Sequence, residues 1–223
     1  MLPLEGYRVL DLTHVLAGPC ATHHLRCMGA EVIKIERPGG GDPMRALDMQ
    51  PALGGLTPGF RALNAGKQSV VVDLATGEGR ATLLRIAAGC DIFVENFRPG
   101  VARKLGLAPD DIRAVRPDVV YCSISGWGQS GPNSARGAYD HVIQAATGMM
   151  AMQGSGASEP PVKVGFPVID IATGMSAAEA ILAAIICRLR GDTAPITLDV
   201  SMVDCALALM SGPAATTLST GVA

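Results

Sequence analysis

Short β-branched apolar runs alternate along the chain with segments of helical periodicity. Tyr7–Leu12, Glu31–Ile35, Ser69–Leu74, Asp91–Glu95, Val119–Ile124 and Ile196–Val200 predict strands. Gly18–Met28, Gly79–Ala88, Asp110–Val115, Asp140–Met152, Thr173–Leu189 and Ser201–Met210 predict helices. Alternation of this kind predicts an α/β fold, a three-layer, mostly parallel sheet with helices on both faces. Two stretches rich in glycine and proline break the rhythm, Arg37–Gln68 and Gly126–Gly137. Long irregular connections in a compact domain belong to function or to mobility. The uncharged tail Ser211–Ala223 predicts a frayed end or a linker, which leaves residues 1–210 as one α/β domain.

In an open parallel sheet, ligands bind beyond the carboxyl ends of the strands. The residues placed there are Thr13-His14, Glu36-Arg37, Asn96-Phe97-Arg98 and Ser125-Gly126. A rim carrying an imidazole, two guanidinium groups and an amide suits a phosphorylated ligand with a polar head.

Composition narrows the partner. The chain has 223 residues, enough for one large domain and a small appendage. Hydrophobic residues at 48% against 17% charged exclude a disordered chain. With 18 Lys+Arg against 20 Asp+Glu, net charge −2, there is no electrostatic case for nucleic acid or an anionic membrane. The longest apolar run, near Ala180–Cys187, falls short of the roughly 20 residues of a membrane span and predicts a buried helix. The first residues lack the basic and apolar regions of a signal peptide, which predicts a cytoplasmic protein.

Two tempting motifs carry no chemistry. Cys20, Cys27, Cys90, Cys122, Cys187 and Cys205 have no metal-ligand spacing and predict reduced core residues; His23 and His24 point about 100° apart on a helix. No metal is expected. Gly39-Gly40-Gly41-Asp42 lacks the lysine and helix start of a phosphate loop.

Several ordered strings point to one family. They are Gly6-Tyr-Arg-Val-Leu-Asp-Leu-Thr-His-Val-Leu-Ala-Gly-Pro19, Gly29 to Pro38 with Gly41-Asp42, and Asn64-Ala-Gly-Lys67. Val94-Glu-Asn-Phe-Arg-Pro-Gly100, Ser123 to Pro132, Tyr139-Asp-His-Val-Ile-Gln144 and Ile169-Asp-Ile-Ala-Thr-Gly174 continue the series. Over nearly the whole chain to about Met210, the sequence resembles the family III CoA-transferases, also called CaiB/BaiF, which include related acyl-CoA racemases. The resemblance implies a Rossmann-like large domain and transfer of coenzyme A from an acyl-CoA to a small carboxylic acid. It implies no tightly bound cofactor, coenzyme A and its thioesters being substrates.

By the same resemblance Asp170 is the nucleophile, forming a mixed anhydride and then an aspartyl thioester. The chemistry is sound, because a carboxylate attacking a thioester retains acyl activation that a serine ester would dissipate. An aspartate with an ordinary pKa near 3.9 is ionised at neutral pH without a histidine partner. Read by itself, Asp170 is an N-cap for the helix from Thr173, and Thr173-Gly174 at that helix start would supply oxyanion donors. The family pattern places coenzyme A against His14, Ala17, Arg37, Lys67, Asn96, Phe97 and Lys104. Gln144, Trp127, Met149 and Met150 are candidates for the border of the acyl pocket.

Two alternatives remain open at this stage. The racemase branch has a histidine where this chain has Tyr139, which favours transferase, although His141 with Asp170 would make a shifted proton-transfer pair. Family members are longer, with a second small domain, a returning segment and a glycine-rich loop over the aspartate. The resemblance therefore also implies a homodimer, or a complementary chain supplying the remainder to a shortened coenzyme-binding subunit. The high apolar content fits a surface that a partner covers.

Overall fold

A computed structural model describes residues 1–47, 56–153 and 160–221. Part of the irregular stretch Arg37–Gln68, with Pro51, Gly54 and Gly55, lies outside the described residues, as do the last two residues of the tail.

Six strands form one parallel sheet: β1 (Arg8–Asp11), β2 (Glu31–Glu36), β3 (Gln68–Val71), β4 (Ile92–Glu95), β5 (Val120–Ser125) and β6 (Ile196–Ser201). Each matches a predicted run. The spatial order is β3-β2-β1-β4-β5-β6, with every neighbouring pair parallel. The chain therefore reverses direction across the sheet between β1 and β4. A doubly wound sheet opens its ligand crevice at such a switch point.

Alternate strand residues feed two cores, as the pleat requires. Val9, Val32, Ile92, Val94, Val120, Cys122 and Ile124 pack under α1 (Ala17–Cys27) and α8 (Val168–Leu189). Leu10, Ile35, Phe93 and Tyr121 face the other way, toward Leu83 and Ala87 of α3 (Gly77–Ala87) and Ile112 of α5 (Pro109–Arg113). Glycine lets α1 and α8 touch. A Cβ on Gly174 would lie 2.7 Å from the Ala17 carbonyl oxygen and 2.7 Å from the Cys20 Cβ, so only hydrogen fits there.

The helices differ from expectation in places. The irregular stretch contains a 3₁₀ turn, Pro43–Arg45, and α2 (Pro58–Asn64), each begun by a side-chain cap on its own backbone, Asp42 and Thr57 respectively. A short α4 (Val101–Lys104) follows β4. The expected helix Asp140–Met152 is two, α6 (Asp140–Ala146) and α7 (Met149–Met152), parted at Gly148 with φ +82°. After β6 come α9 (Met202–Leu209) and α10 (Ser211–Thr220). The tail is thus helical, continuing α9 through the Met210 N–H on the Ala206 carbonyl, though α10 buries none of its residues.

The long α8 spans 22 residues and by length and composition would suffice to cross a membrane. Its apolar content is accounted for on the inner face, where Ala177, Ala178, Ile181, Ala184 and Ile185 lie in the core. Ile186 and Leu189 at its far end are exposed. Four cysteines are buried as expected, but Cys27 and Cys187 face solvent; all six are free.

Candidate active site

Beyond the carboxyl ends of β1, β4 and β5 lies a cleft of about 230 Å³. The loop after β1 contributes His14, Val15, Leu16 and Ala17, and the loop after β4 contributes Asn96, Phe97, Arg98 and Pro99. Ser125 and Gly126 close one end, Arg136 to Tyr139 form a wall, and Asp170 and Met202 come from α8 and α9. A second cleft of about 240 Å³ continues over the ends of β2 and β3, where Glu36, Arg37 and Leu74 line it. His14 and Phe97, with ring centroids 6.2 Å apart, border both. The rim predicted from strand ends is therefore one groove in two compartments.

Asp170 sits in the first turn of α8, which begins at Val168 after Pro167, so the expectation that Asp170 caps a helix from Thr173 is overturned. Asp140 does the capping. Its Oδ2 accepts the Ile169 and Asp170 N–H groups at 2.7 and 3.2 Å, and its Oδ1 accepts from the Gln144 amide. Gln144 is held in turn by the Val164 N–H at 2.8 Å. Thr173 bonds back to the Ile169 carbonyl, and Gly174 is a packing contact. Neither supplies an oxyanion donor.

The donor comes instead from α1, whose first turn has no side-chain cap of its own. Ala17 lines the cleft together with Asp170, and its N–H faces the Asp170 carboxyl as a backbone donor that favours the charged form. Burial, with the Asp140 charge adding to it, pushes Asp170 up to about 7, and the Ala17 N–H pulls only partly the other way. The carboxyl therefore holds its proton to much higher pH than the ordinary aspartate that the sequence alone suggested.

The loop that delivers Ala17 is held on every side. The Asp11 carboxylate accepts from the Thr13 N–H at 2.9 Å. Lys34 Nζ donates to the Thr13 carbonyl at 2.6 Å. Asn96 accepts the His14 N–H and donates to the His14 carbonyl, both at 2.9 Å, which ties the two switch-point loops together. Asp42 accepts the Val15 N–H at 3.1 Å. Val15 has φ +67°, the one non-glycine residue with positive φ among those described. A β-branched residue there costs about 1–3 kcal/mol, which the surrounding bonds must offset.

Of the residues expected on coenzyme A, the groove gathers His14, Ala17, Asn96 and Phe97 beside Asp170, with Arg37 in the second compartment. Burial, with Lys34 nearby, lowers the His14 pKa and so favours its neutral imidazole, and its Nδ1 has no protein partner. Asn96 spends its carboxamide on the His14 backbone. Lys67 and Lys104 line neither compartment. The Lys67 side chain is 1% exposed, paired with Asp11 at 3.1 Å and bonded to the Pro19 carbonyl, Thr22 and Asn64. It is a buried strut under α1. Lys104 is exposed at the end of α4.

Arg136 is a residue that sequence reading passed over. It lies on the cleft wall with its guanidinium 4.7 Å from the centre of the Trp127 ring. In the sequence it lies one residue from the position of a coenzyme-contacting lysine in the family pattern, and that offset kept it off the expected site. The proton-transfer pair of His141 and Asp170 is not assembled: His141 is exposed, stacked on Tyr139 at 6.0 Å, and does not line the cleft. The candidate acyl-pocket residues are also elsewhere. Trp127 and Met149 pack in a small core with Ile143 and Met202, and Gln144 is fully buried. Among the described residues no group of three or more His, Cys, Asp or Glu side chains is placed to hold a metal ion.

Residues 4–223 match the family described as CoA-transferase family III. The chain is 44% identical over 190 residues to the succinyl-CoA:glutarate CoA-transferase of Mus musculus, covering 85% of this chain and 43% of that protein. It is 40% identical over 210 residues to the acetyl-CoA:oxalate CoA-transferase of Acetobacter aceti, covering 93% and 53%. The crystal structure of a CAIB/BAIF family protein from Brucella suis superposes with a TM-score of 0.92 at 35% identity, covering all of this chain and 59% of that one. The chain thus spans about half the length of the curated relatives it matches.

Proposed function

Because the chain belongs to CoA-transferase family III, we propose that its groove binds an acyl-CoA and that Asp170 captures the acyl group for transfer of coenzyme A to a small carboxylic acid. The observation that carries this reading is a half-buried carboxyl, its pKa pushed up to about 7, lining with the uncapped first turn of α1 a cleft at the sheet's switch point.

The steps balance without a cofactor. The Asp170 carboxylate attacks the thioester carbonyl, the carbon–sulfur bond breaks, and a mixed anhydride and coenzyme thiolate result. The thiolate then attacks the aspartyl carbonyl, releasing the donor acid and leaving an aspartyl thioester. An acceptor carboxylate reverses both steps. The Ala17 N–H at the amino end of α1 is placed to bear the negative charge that develops on the aspartyl oxygen.

Arg37, Arg98 and Arg136 supply cationic donors around the groove for the diphosphate and ribose phosphate. His14, Ala17 and Asn96 lie toward the reacting end, and Phe97 offers a ring face between compartments. Transferase is favoured over racemase because His141, the partner that the shifted proton-transfer pair requires, does not line the cleft with Asp170. The same reading places the protein in the cytoplasm and pairs it with a second copy or a chain completing the active site. Exposed Ile186, Leu189, Leu207 and Leu209 support that pairing.

The test is to incubate the protein with acetyl-CoA or succinyl-CoA and trap with hydroxylamine. Peptide mass analysis is expected to find the modification on Asp170 and to lose it in Asp170→Asn. Modification that survives in Asp170→Asn, or none in the parent, rejects the proposal.

A further inference from the structure

Behind the cleft, two lysines and two aspartates are withdrawn from solvent. Lys34 and Asp42 have side chains 1% and 0% exposed with Nζ 3.0 Å from Oδ2, and Lys67 and Asp11 form the second pair. The first pair does more than neutralise itself. Lys34 reaches past Asp42 to the Thr13 carbonyl at 2.6 Å, while Asp42 Oδ1 takes the Val15 N–H at 3.1 Å and the Met44 N–H at 2.9 Å. The two residues therefore grip the backbone on either side of His14, and the second grip falls on the residue with φ +67°.

Two residues after Val15 is Ala17, which lines the cleft with Asp170 and turns its N–H toward that carboxyl. Val15 relaxing out of the left-handed region would rotate the following peptides and turn that N–H away. The fixed points on either side allow little compensation. A Cβ on Gly18 would lie 2.3 Å from the Thr13 Cβ, so the loop is folded directly onto the first turn of α1.

We propose that the buried Lys34–Asp42 pair is a positioning device for Asp170: it locks the loop after β1 in the strained turn that aims the Ala17 N–H at the reacting carboxylate. The inference rests on the reading of Asp170 as nucleophile. Neither Lys34 nor Asp42 lines the cleft, so both act through the loop and not on substrate.

The experiment compares two double variants with equal charge. Lys34→Met/Asp42→Asn keeps an oxygen for the Val15 N–H; Lys34→Met/Asp42→Leu removes it. Formation of the Asp170 coenzyme A thioester from acetyl-CoA, the step in which negative charge develops on the aspartyl oxygen, is followed as maximal rate and half-saturating concentration. The leucine variant is expected to be about tenfold slower at saturation than the asparagine variant, within the roughly hundredfold that an ångström of misplacement costs. Half-saturation should stay within about twofold, since uniform binding is untouched. Adding Val15→Gly to the leucine variant is expected to restore the rate, because glycine holds positive φ unaided. Equal rates in the two doubles, or no restoration by glycine, overturn the proposal.

If the leucine double does not fold, the triple variant decides. A folded triple with the asparagine variant's rate supports the device, and an unfolded one overturns it. Isotope-edited carboxyl NMR of Asp170 gives a reading without turnover. The titration midpoint should be higher in the leucine variant than in the asparagine variant, and equal midpoints reject the device. Absence of acylation in the parent would instead reject Asp170 as nucleophile, with the NMR comparison still deciding the positioning role.

Discussion

Asp11 and Asp170 are the same side chain, one fully buried and the other half-buried near the start of α1, yet they are driven in opposite directions. Burial raises both. Around Asp11, Lys67 and Lys34 with the Thr13 and Thr22 hydroxyls outweigh burial and hold the carboxyl at about 2. Around Asp170 the Asp140 carboxylate adds to burial, and among the described residues the Ala17 N–H is the group that opposes them. Lys34 and Lys67 are spent under the loop, while Arg98 and Arg136 line the cleft without being among the groups that act on Asp170. The contrast teaches that the candidate nucleophile's high basicity comes from counter-charge withheld, since a cation beside it would stabilise the carboxylate and blunt its attack.

The comparison breaks most sharply at Lys67. The Asp11–Lys67 pair is near break-even as a whole, because burial also lowers the Lys67 pKa while Asp11 opposes it. Removing one partner is different. Lys67→Met strands the Asp11 charge and is expected to cost about 3–5 kcal/mol in urea unfolding at pH 7. A loss under about 1 kcal/mol would mean that Lys34 alone compensates Asp11 and that the two aspartates differ less than described.

Asp170 should behave in the opposite sense. Its pKa is raised from 3.8 to about 7, so the folded state binds the proton more tightly than the unfolded chain. Its penalty on stability is absent below about 4, grows as pH rises, and is complete above about 7. Asp170→Asn is therefore expected to match the parent near pH 4 and exceed it near pH 8 by about 2 kcal/mol, with an upper bound near 4 at about 1.4 kcal/mol per unit. Urea unfolding at the two pH values checks it. A difference that does not grow with pH would put Asp170 at an ordinary carboxylate value.

The contrast also marks how far the sequence could be read. All six strands were legible because β-branched runs between turn signals have few other uses, and their alternation with helices led to a parallel sheet. The groove followed from topology, so His14, Arg37, Asn96 and Phe97 were placed by being next after a strand. Lys67 was misleading for a physical reason. It was expected on coenzyme A through the family resemblance alone, and only the fold brings Asp11, 56 residues away, under it. Asp140 was equally hidden, since a cap contributed from 30 residues upstream leaves no mark at the helix it caps. The strain at Val15 has no sequence signature at all, because nothing local favours a β-branched residue at φ +67°.

The smallest expected effect is the most informative about cause. Asp140→Asn removes the like charge near Asp170 while an amide oxygen can still take the Ile169 and Asp170 N–H groups. The new amide would face the Gln144 amide, and turning Gln144 over would present nitrogen to the Val164 N–H, so about 1 kcal/mol of stability is expected to go with it. Burial is the larger cause of the raised value, and it stays. The Asp170 midpoint, followed by carboxyl NMR or by the pH profile of acyl capture, should therefore fall by about one unit and remain above the ordinary carboxylate range. An unmoved midpoint would assign the shift to burial alone. A fall to below about 5 would make Asp140 the principal cause, and the difference between Asp11 and Asp170 would then reduce to the sign of a single neighbouring charge.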